Sequence, residues 1–336
     1  MKYHQKNIKT YTISWLTYCF LIAIAIFGIN FFIDPLWYND GNKITKKNYA
    51  YNERLSKTNY FLNHMDQYDC VLLGSSVSIV FDTKLIKGSE CYNFSVSAGG
   101  LYEYTAYLKY LKSIGFSPKK IYIEVNFGFV KPTYDLSRLP NFIKSFNEPD
   151  SIYKSYTSID SLTFSLKNLM GLSPYQHMYD QNFVALTRKD LIFPFSPKVD
   201  YLYRSPAEPP SHEVLKLYKE LINIFPESIY IGYVYPQSPW ITSMYYTHNY
   251  LDQNLDIILS LSSFFDEFYD FSFPVDYLEN NKITYDGSHF YEFVFIEIAR
   301  MLNENQGVIG VRINDTPNYK QLYFKNIKSF IKSKSE

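Results

Sequence analysis

The 336-residue chain has few cysteines and no excess of charge of either sign. Lysine and arginine together number 33, and so do aspartate and glutamate, which makes the formal net charge zero at pH 7. No basic stripe precedes the last thirty residues, so nucleic-acid binding, which depends on neutralising phosphates, is not expected. No Cys/His cluster indicates zinc and no glycine-rich loop indicates a nucleotide, so we expect neither a metal nor an organic cofactor.

The three cysteines leave two interpretations open. Cys19 lies in an apolar segment, whereas Cys70 and Cys91 each begin a predicted strand. Outside the cytoplasm, Cys70 and Cys91 could form a disulfide. A bridge between neighbouring strands strains the preferred disulfide geometry, which favours two buried free thiols.

A long uncharged run lies near the N-terminus, from Thr10 to Ile33. Its length suffices to span about 30 Å of hydrocarbon as a helix. Ala23-Ile24-Ala25 resembles a signal-peptide cleavage site, but the apolar run continues beyond it, which favours an uncleaved signal anchor. Lys2, Lys6 and Lys9 lie close before the run. We therefore expect a single-pass protein of the cytoplasmic membrane, with residues 1–33 as cytoplasmic tip and anchor and the rest outside the cytoplasm.

The remaining sequence predicts three further segments. Residues 34–63 are interpreted as a stalk that leads into a first helix. Residues 64–306 alternate apolar strands with amphipathic helices, which is typical of a three-layer α/β fold with a parallel sheet. Within them, residues 128–210 break the alternation and are interpreted as a large insertion that forms a lid. Residues 307–336 form a basic tail, which returns along the surface or is partly disordered.

Polar groups follow the ends of four predicted strands. They are Gly74-Ser75-Ser76, the small residues up to Gly99 and Gly100, Asn126, and the pair Asp286 and His289. Sites in open parallel sheets form at the carboxyl ends of strands. A hydroxyl, a glycine N–H, a side-chain amide and a histidine with a carboxylate are the groups that serine hydrolysis needs. The histidine takes the nucleophile's proton, the aspartate orients the imidazole, and the N–H donors bind the oxyanion.

Each motif also has a structural explanation of its own. Gly-Ser-Ser is common in turns, Asn126 could cap the loop after its strand, and Asp286 could cap the helix that follows it. Their combined order at strand ends favours the catalytic interpretation.

In these blocks, over roughly residues 68–305, the chain resembles the SGNH (GDSL-like) hydrolases. The resemblance implies a flavodoxin-like SGNH domain in which Ser76 is the nucleophile, with Ser75 as the neighbouring candidate. His289 and Asp286 would complete the triad.

The same resemblance assigns the oxyanion hole to the N–H of Ser76, the N–H of Gly99 and the side chain of Asn126. For the glycine donor, Gly100 and the Ala98 position stay open. The third block of the family is Gly-x-Asn-Asp, and here only Asn126 of that block is present.

The Gly-Ser-Ser version together with a membrane anchor resembles envelope-polysaccharide modification proteins, including D-alanylation and O-acetylation factors of bacterial surfaces. This implies a serine esterase or an O-acyltransferase that works through an acyl-enzyme on a cell-surface or lipid-linked glycan. A single span cannot bring an acyl donor across the membrane, so a transferase would need a multi-span membrane partner. The alternative is a non-catalytic SGNH-like protein that binds glycan or assists envelope assembly.

Overall fold

The computed structural model describes residues 2–149, 151–173, 177–188, 192–206 and 208–336, with side chains described from Ile8 onward. The described helices are α1 (Lys2–Ile33), α2 (Glu53–His64), α3 (Leu101–Ser113), α4 (Asn141–Ser145), α5 (Ile152–Tyr156), α6 (Ile159–Met170), α7 (Glu213–Ile222), α8 (Pro239–Thr247), α9 (Leu251–Ser262), α10 (Val294–Glu304) and α11 (Tyr319–Ser335). The described strands are β1 (Lys47–Tyr49), β2 (Cys70–Leu73), β3 (Cys91–Asn93), β4 (Lys120–Val125), β5 (His177–Asp180), β6 (Ala185–Thr187), β7 (Ile229–Val234), β8 (Glu267–Asp270) and β9 (Val311–Arg312).

The chain forms two units. The anchor unit comprises residues 1–63 and 148–183, and the sheet unit comprises residues 64–147 and 184–336. The predicted insertion, residues 128–210, is therefore divided. Its central part belongs to the anchor unit, and its two ends belong to the sheet unit.

The anchor unit is built around α1. Residues Ile8–Ile33 are long and apolar enough to cross a membrane, as the uncharged run predicts, and no other helix in the described ranges meets that condition. α1 packs against α5 and α6, and β1 pairs antiparallel with β5.

The stretch after α1 is folded, so the expectation of a stalk is wrong. Asp34 is fully buried with a left-handed φ of 41°, and its carboxylate accepts hydrogen bonds from the N–H groups of Tyr38, Asn39 and Gly41. This turn ends α1 and reverses the chain. Burial then extends into α2, where it lowers the pKa of Lys57 to about 7 while the charge of Glu53 acts in the opposite direction. The polar composition of this stretch serves turns and buried hydrogen bonds.

The sheet unit contains a six-stranded sheet in the order β3-β2-β4-β7-β8-β9. The first five strands are parallel, and β9 is antiparallel to β8. The predicted α/β fold with a parallel-rich sheet is confirmed. Every residue of β2 is buried, as are all but the first residue of β7. Such strands are covered on both faces, which explains their continuous apolar sequences.

Cys70 and Cys91 form a disulfide, so the interpretation as free thiols is wrong. The two residues are register partners at the first positions of β2 and β3, and their Cα atoms are 4.2 Å apart. This pairing brings the two side chains side by side at one end of the sheet.

The tail is structured. It adds the edge strand β9 and the helix α11, whose residues Tyr319, Tyr323, Ile327 and Phe330 are buried. The Tyr319 hydroxyl donates a hydrogen bond of 2.6 Å to the buried carboxylate of Asp270 at the end of β8. The i, i+4, i+8 and i+11 spacing of these apolar residues is a helical pattern within the basic sequence.

Candidate active site

Ser76 lies in the turn that follows β2. The turn begins at Gly74, where a Cβ atom would come within 2.6 Å of the Ser95 hydroxyl and 2.7 Å of the Glu124 carboxylate. Only glycine fits so close an approach. The half-buried Ser76 hydroxyl lies 2.8 Å from Nε2 of His289. This distance is within hydrogen-bond reach, as a nucleophile and its general base require.

His289 is held by a tight loop between Thr284 and Phe290, which are joined by an antiparallel bridge. Gly287 makes the loop possible because its φ is +94° and a Cβ there would meet Ile241 at 2.9 Å. The Thr284 hydroxyl donates to the His289 carbonyl at 2.7 Å and accepts from the Gly287 N–H at 2.9 Å. The backbone around His289 is therefore tied to the loop itself.

Asp286 binds His289 through both carboxylate oxygens. Oδ2 lies 2.7 Å from Nδ1 of the ring, and Oδ1 accepts from the His289 N–H at 2.7 Å and from the Ser288 N–H at 2.9 Å. Burial alone would raise the pKa of the Asp286 carboxyl, but the hydrogen bonds and charge of His289 outweigh it, so this pKa lies below its usual value. An ionised Asp286 accepts a hydrogen bond from the Nδ1–H group, which keeps the proton on Nδ1 and leaves Nε2 as an acceptor for the Ser76 hydroxyl.

The alternative role of Asp286 as a helix cap does not describe its contacts. α10 begins only at Val294. Asp286 instead closes the turn that carries the histidine, while its second oxygen orients the ring.

Of the three predicted oxyanion donors, the N–H of Gly99 is already engaged. It donates to the carbonyl of Val96 at 2.9 Å, in a turn where Ala98 has a φ of +52°. This differs from the expectation. Within the described part of the chain, the N–H groups of Ser76 and Gly100 donate to no backbone carbonyl in the turns and loops, so both are candidate backbone donors. A Cβ on Gly99 would lie 2.6 Å from the Gly74 carbonyl, so this glycine is needed for the close approach of the two turns.

The exposed side chain of Asn126 follows β4. Its Oδ1 accepts a hydrogen bond of 3.1 Å from the Tyr235 hydroxyl. Burial raises the pKa of Tyr235, so this hydroxyl stays protonated and able to donate. With its oxygen occupied, Asn126 presents its amide nitrogen as a donor.

Glu124 is a residue of the site that the sequence analysis did not single out. It is 2% exposed, and its carboxylate accepts from the Ser75 N–H at 3.0 Å and from the Ser75 hydroxyl at 2.5 Å. Burial raises the pKa of this carboxyl, although the hydrogen bonds from Ser75 act in the opposite direction. Ser75, the second nucleophile candidate, is thus occupied in binding Glu124. An acidic residue inside the apolar sequence of β4 was the available signal.

Two further residues support the histidine loop. The Tyr285 ring stacks on the His289 ring with centroids 5.4 Å apart and planes 16° apart. The Ser288 hydroxyl donates to the side chain of Gln237 at 3.0 Å. Tyr285 lies outside the four sequence blocks and Ser288 occupies an unspecified position between Asp286 and His289, so the motifs did not indicate either residue.

A cavity of about 390 Å³ lies beside the candidate oxyanion donors. Gly100 and Asn126 line it, and so do residues 129–133 from the first end of the predicted insertion. Ser76 is not among its lining residues. The second end of the insertion reaches the histidine loop, since a Cβ at Gly287 would lie 3.0 Å from the Phe195 ring. Both ends of the insertion thus contact residues at or beside the sheet-unit site, and the lid role stays a prediction.

Comparison with protein-family models, with curated proteins and with solved structures gives no match. The interpretation of the site therefore depends on its own geometry.

Proposed function

We propose that this protein is a membrane-anchored serine esterase or O-acyltransferase whose sheet unit is an SGNH-type domain. The observation that carries the proposal is the continuous hydrogen-bonded chain Ser76–His289–Asp286, with contacts of 2.8 and 2.7 Å. A serine, an imidazole and a carboxylate in this order are the groups that activate a hydroxyl for attack on an acyl carbon.

In the proposed first step, the Ser76 oxygen attacks the acyl carbonyl carbon while its proton passes to Nε2 of His289. The carbonyl oxygen becomes an oxyanion, for which the N–H groups of Ser76 and Gly100 and the amide of Asn126 are the candidate donors. When the intermediate collapses, the bond to the leaving alcohol breaks and the proton on His289 goes to that alcohol. The acyl group then remains as an ester on Ser76.

In the second step, His289 takes a proton from a hydroxyl group that attacks the acyl-enzyme. Water as the attacking group gives hydrolysis, and a sugar hydroxyl gives transfer. His289 then returns the proton to Ser76 as the ester bond breaks. The His289 side chain is 27% exposed, so an attacking hydroxyl can approach this base from solvent.

We further propose that α1 anchors the protein in the cytoplasmic membrane and that the sheet unit lies outside the cytoplasm. The Cys70–Cys91 disulfide supports the location of the sheet unit outside the cytoplasm, because disulfides persist in oxidising compartments. An anchored acyl enzyme outside the cytoplasm suits a cell-surface or lipid-linked glycan. A transferase of this design would receive its acyl group from a multi-span membrane protein.

The proposal is tested with full-length protein and p-nitrophenyl acetate. Wild-type protein should release p-nitrophenol, and Ser76→Ala should release it at the uncatalysed rate. Ser263→Ala serves as the matched control, since its hydroxyl is exposed and bonds only within the end of α9. Adding an oligosaccharide acceptor separates the two activities, because a transferase forms acylated sugar. Equal rates for Ser76→Ala and wild type would leave the non-catalytic assembly role.

A further inference from the structure

Helix α6 of the anchor unit buries a polar face and exposes an apolar one. Its buried face consists of Ser161, Ser165 and Asn168, which are 3%, 0% and 7% exposed. Four of its large apolar side chains are 40–64% exposed, namely Ile159, Leu166, Leu169 and Met170. A helix on the surface of a water-soluble domain turns its apolar stripe inward instead. The exposed stripe therefore indicates surroundings other than water.

The buried polar face packs against α1 through hydrogen bonds. The Ser165 hydroxyl donates to Oδ1 of Asn30 at 2.9 Å. The Asn30 amide nitrogen in turn donates to the carbonyls of Tyr156 and Ser158 at 2.9 and 3.1 Å. Small residues and interhelical side-chain hydrogen bonds are the means by which helices associate in membranes.

These contacts fix the level of α6 along α1. Asn30, which binds Ser165 of α6, lies in the last seven residues of the apolar segment Ile8–Ile33. So do Phe27 and Phe31, whose rings both meet the Tyr156 ring of the preceding helix α5 edge-on with centroids 5.7 Å apart. At 1.5 Å per residue, Asn30, the contact of α6, lies about 5 Å from the end of that segment, and Phe27, the contact of α5, lies about 9 Å from it. An interfacial helix lies about 5–10 Å into the boundary between headgroups and acyl chains. The depth of these contacts along α1 therefore agrees with the depth of an interfacial helix.

The side chains of α6 divide into two stripes outside the buried face. The apolar stripe contains Ile159, Leu162, Leu166, Leu169 and Met170 and continues past the helix to Leu172, which is 57% exposed. The polar stripe contains Asp160, Thr163 and Lys167, all exposed. A helix of 12 residues is about 18 Å long, too short to span a bilayer. Its length and its two stripes fit a helix that lies along a membrane surface.

We propose that α6 is a second membrane contact of this protein, lying flat in the lipid interface beside α1. The apolar stripe enters the boundary of the acyl chains, and the polar stripe faces water. The inference rests on the proposed anchoring by α1 and is independent of the proposed chemistry. The occupant of the stripe is lipid, because the helix that α6 packs against is itself the candidate membrane span.

The test measures the environment of nitroxide labels on the full-length protein in nanodiscs of phosphatidylcholine and phosphatidylglycerol. Cys19→Ser removes the free thiol, and labelling without reductant keeps the disulfide intact. Single labels are placed at Leu166→Cys on the apolar stripe, Thr163→Cys on the polar stripe and Leu21→Cys within α1. All three side chains are exposed, so labelling leaves the packing of the unit unchanged.

Collision rates with oxygen and with a water-soluble nickel chelate report lipid and water respectively. The oxygen-to-nickel ratio should be at least about threefold higher at Leu166→Cys than at Thr163→Cys, because oxygen concentrates in the apolar phase. Nickel access at Leu166→Cys equal to that at Thr163→Cys overturns the proposal. Low access to both reagents at Leu166→Cys also overturns it, in favour of a protein partner. The Leu21→Cys label separates the two inferences: if it too reports water, anchoring by α1 fails as well.

Discussion

Glu124 is predicted to hold the Ser76 turn in its reactive position, although it does not touch the substrate. Its buried carboxylate accepts two hydrogen bonds from Ser75, the residue before the proposed nucleophile. Glu124→Gln keeps the size of the side chain but removes its charge and one of its acceptor oxygens. A hydrogen bond to a charged group is worth about 1.5–3 kcal/mol. If this energy serves only to position Ser76, the loss corresponds to about a 10- to 150-fold fall in kcat.

The assay is the hydrolysis of p-nitrophenyl acetate by full-length protein, with kcat and KM measured separately. Glu124→Gln should lower kcat with little change in KM, since positioning acts on the chemical step. Ser75→Ala, which removes one of the two hydrogen bonds, should give an intermediate loss. Glu227→Gln is the control, because Glu227 is exposed on the surface of the same unit.

Stability is followed in the same variants by thermal unfolding. Glu124→Ala leaves the Ser75 N–H and hydroxyl without an acceptor and should destabilise the protein by about 2–4 kcal/mol. A folded Glu124→Gln protein with the kcat of wild type would refute the positioning role.

Three further predictions concern the proposed triad and a buried carboxylate. Ser76→Ala and His289→Ala should each remove nearly all esterase activity, and a double variant much slower than either single one would contradict their action as a unit. Asp286→Asn should lower kcat by about 10²–10⁴-fold. The pKa of Asp286 is lowered below 3.8, so the ionised carboxylate stabilises the fold above that pH, and this stabilisation should be lost as the pH falls through the folded pKa. Acid unfolding of Asp286→Asn should not show this loss. Burial raises the pKa of Asp270 from 3.8 to about 6, so the unfolding free energy should fall by about 3 kcal/mol as the pH rises through this window. In urea titrations at several pH values, Asp270→Asn should reduce this dependence of the unfolding free energy on pH. An unchanged pH dependence in Asp270→Asn would contradict the raised pKa of Asp270.

The sequence predicts those features that depend on local pattern and on chain order. The uncharged N-terminal run predicts α1, and the alternation of strands and helices predicts the parallel-rich sheet. Because the carboxyl ends of parallel strands meet at one edge, the order of the motifs also led to the pair Ser76 and His289, which lie 2.8 Å apart.

Features that depend on three-dimensional register were missed. The disulfide requires that Cys70 and Cys91 occupy partner positions in adjacent strands, and a sequence does not state that register. The engagement of the Gly99 N–H depends on the local turn to Val96. The role of Glu124 depends on the close approach of β4 to the turn after β2. The polar composition after α1 led to the prediction of a stalk, whereas these polar side chains bind buried backbone groups.

The central claim is that the Ser76 hydroxyl is an activated nucleophile. The most direct measurement treats the full-length protein with a fluorophosphonate and locates the adduct by peptide mass spectrometry. The account predicts one adduct, on Ser76, formed at a much lower rate in His289→Ala, because the imidazole takes the serine proton. An adduct on Ser75, or no adduct on folded wild-type protein, would contradict it.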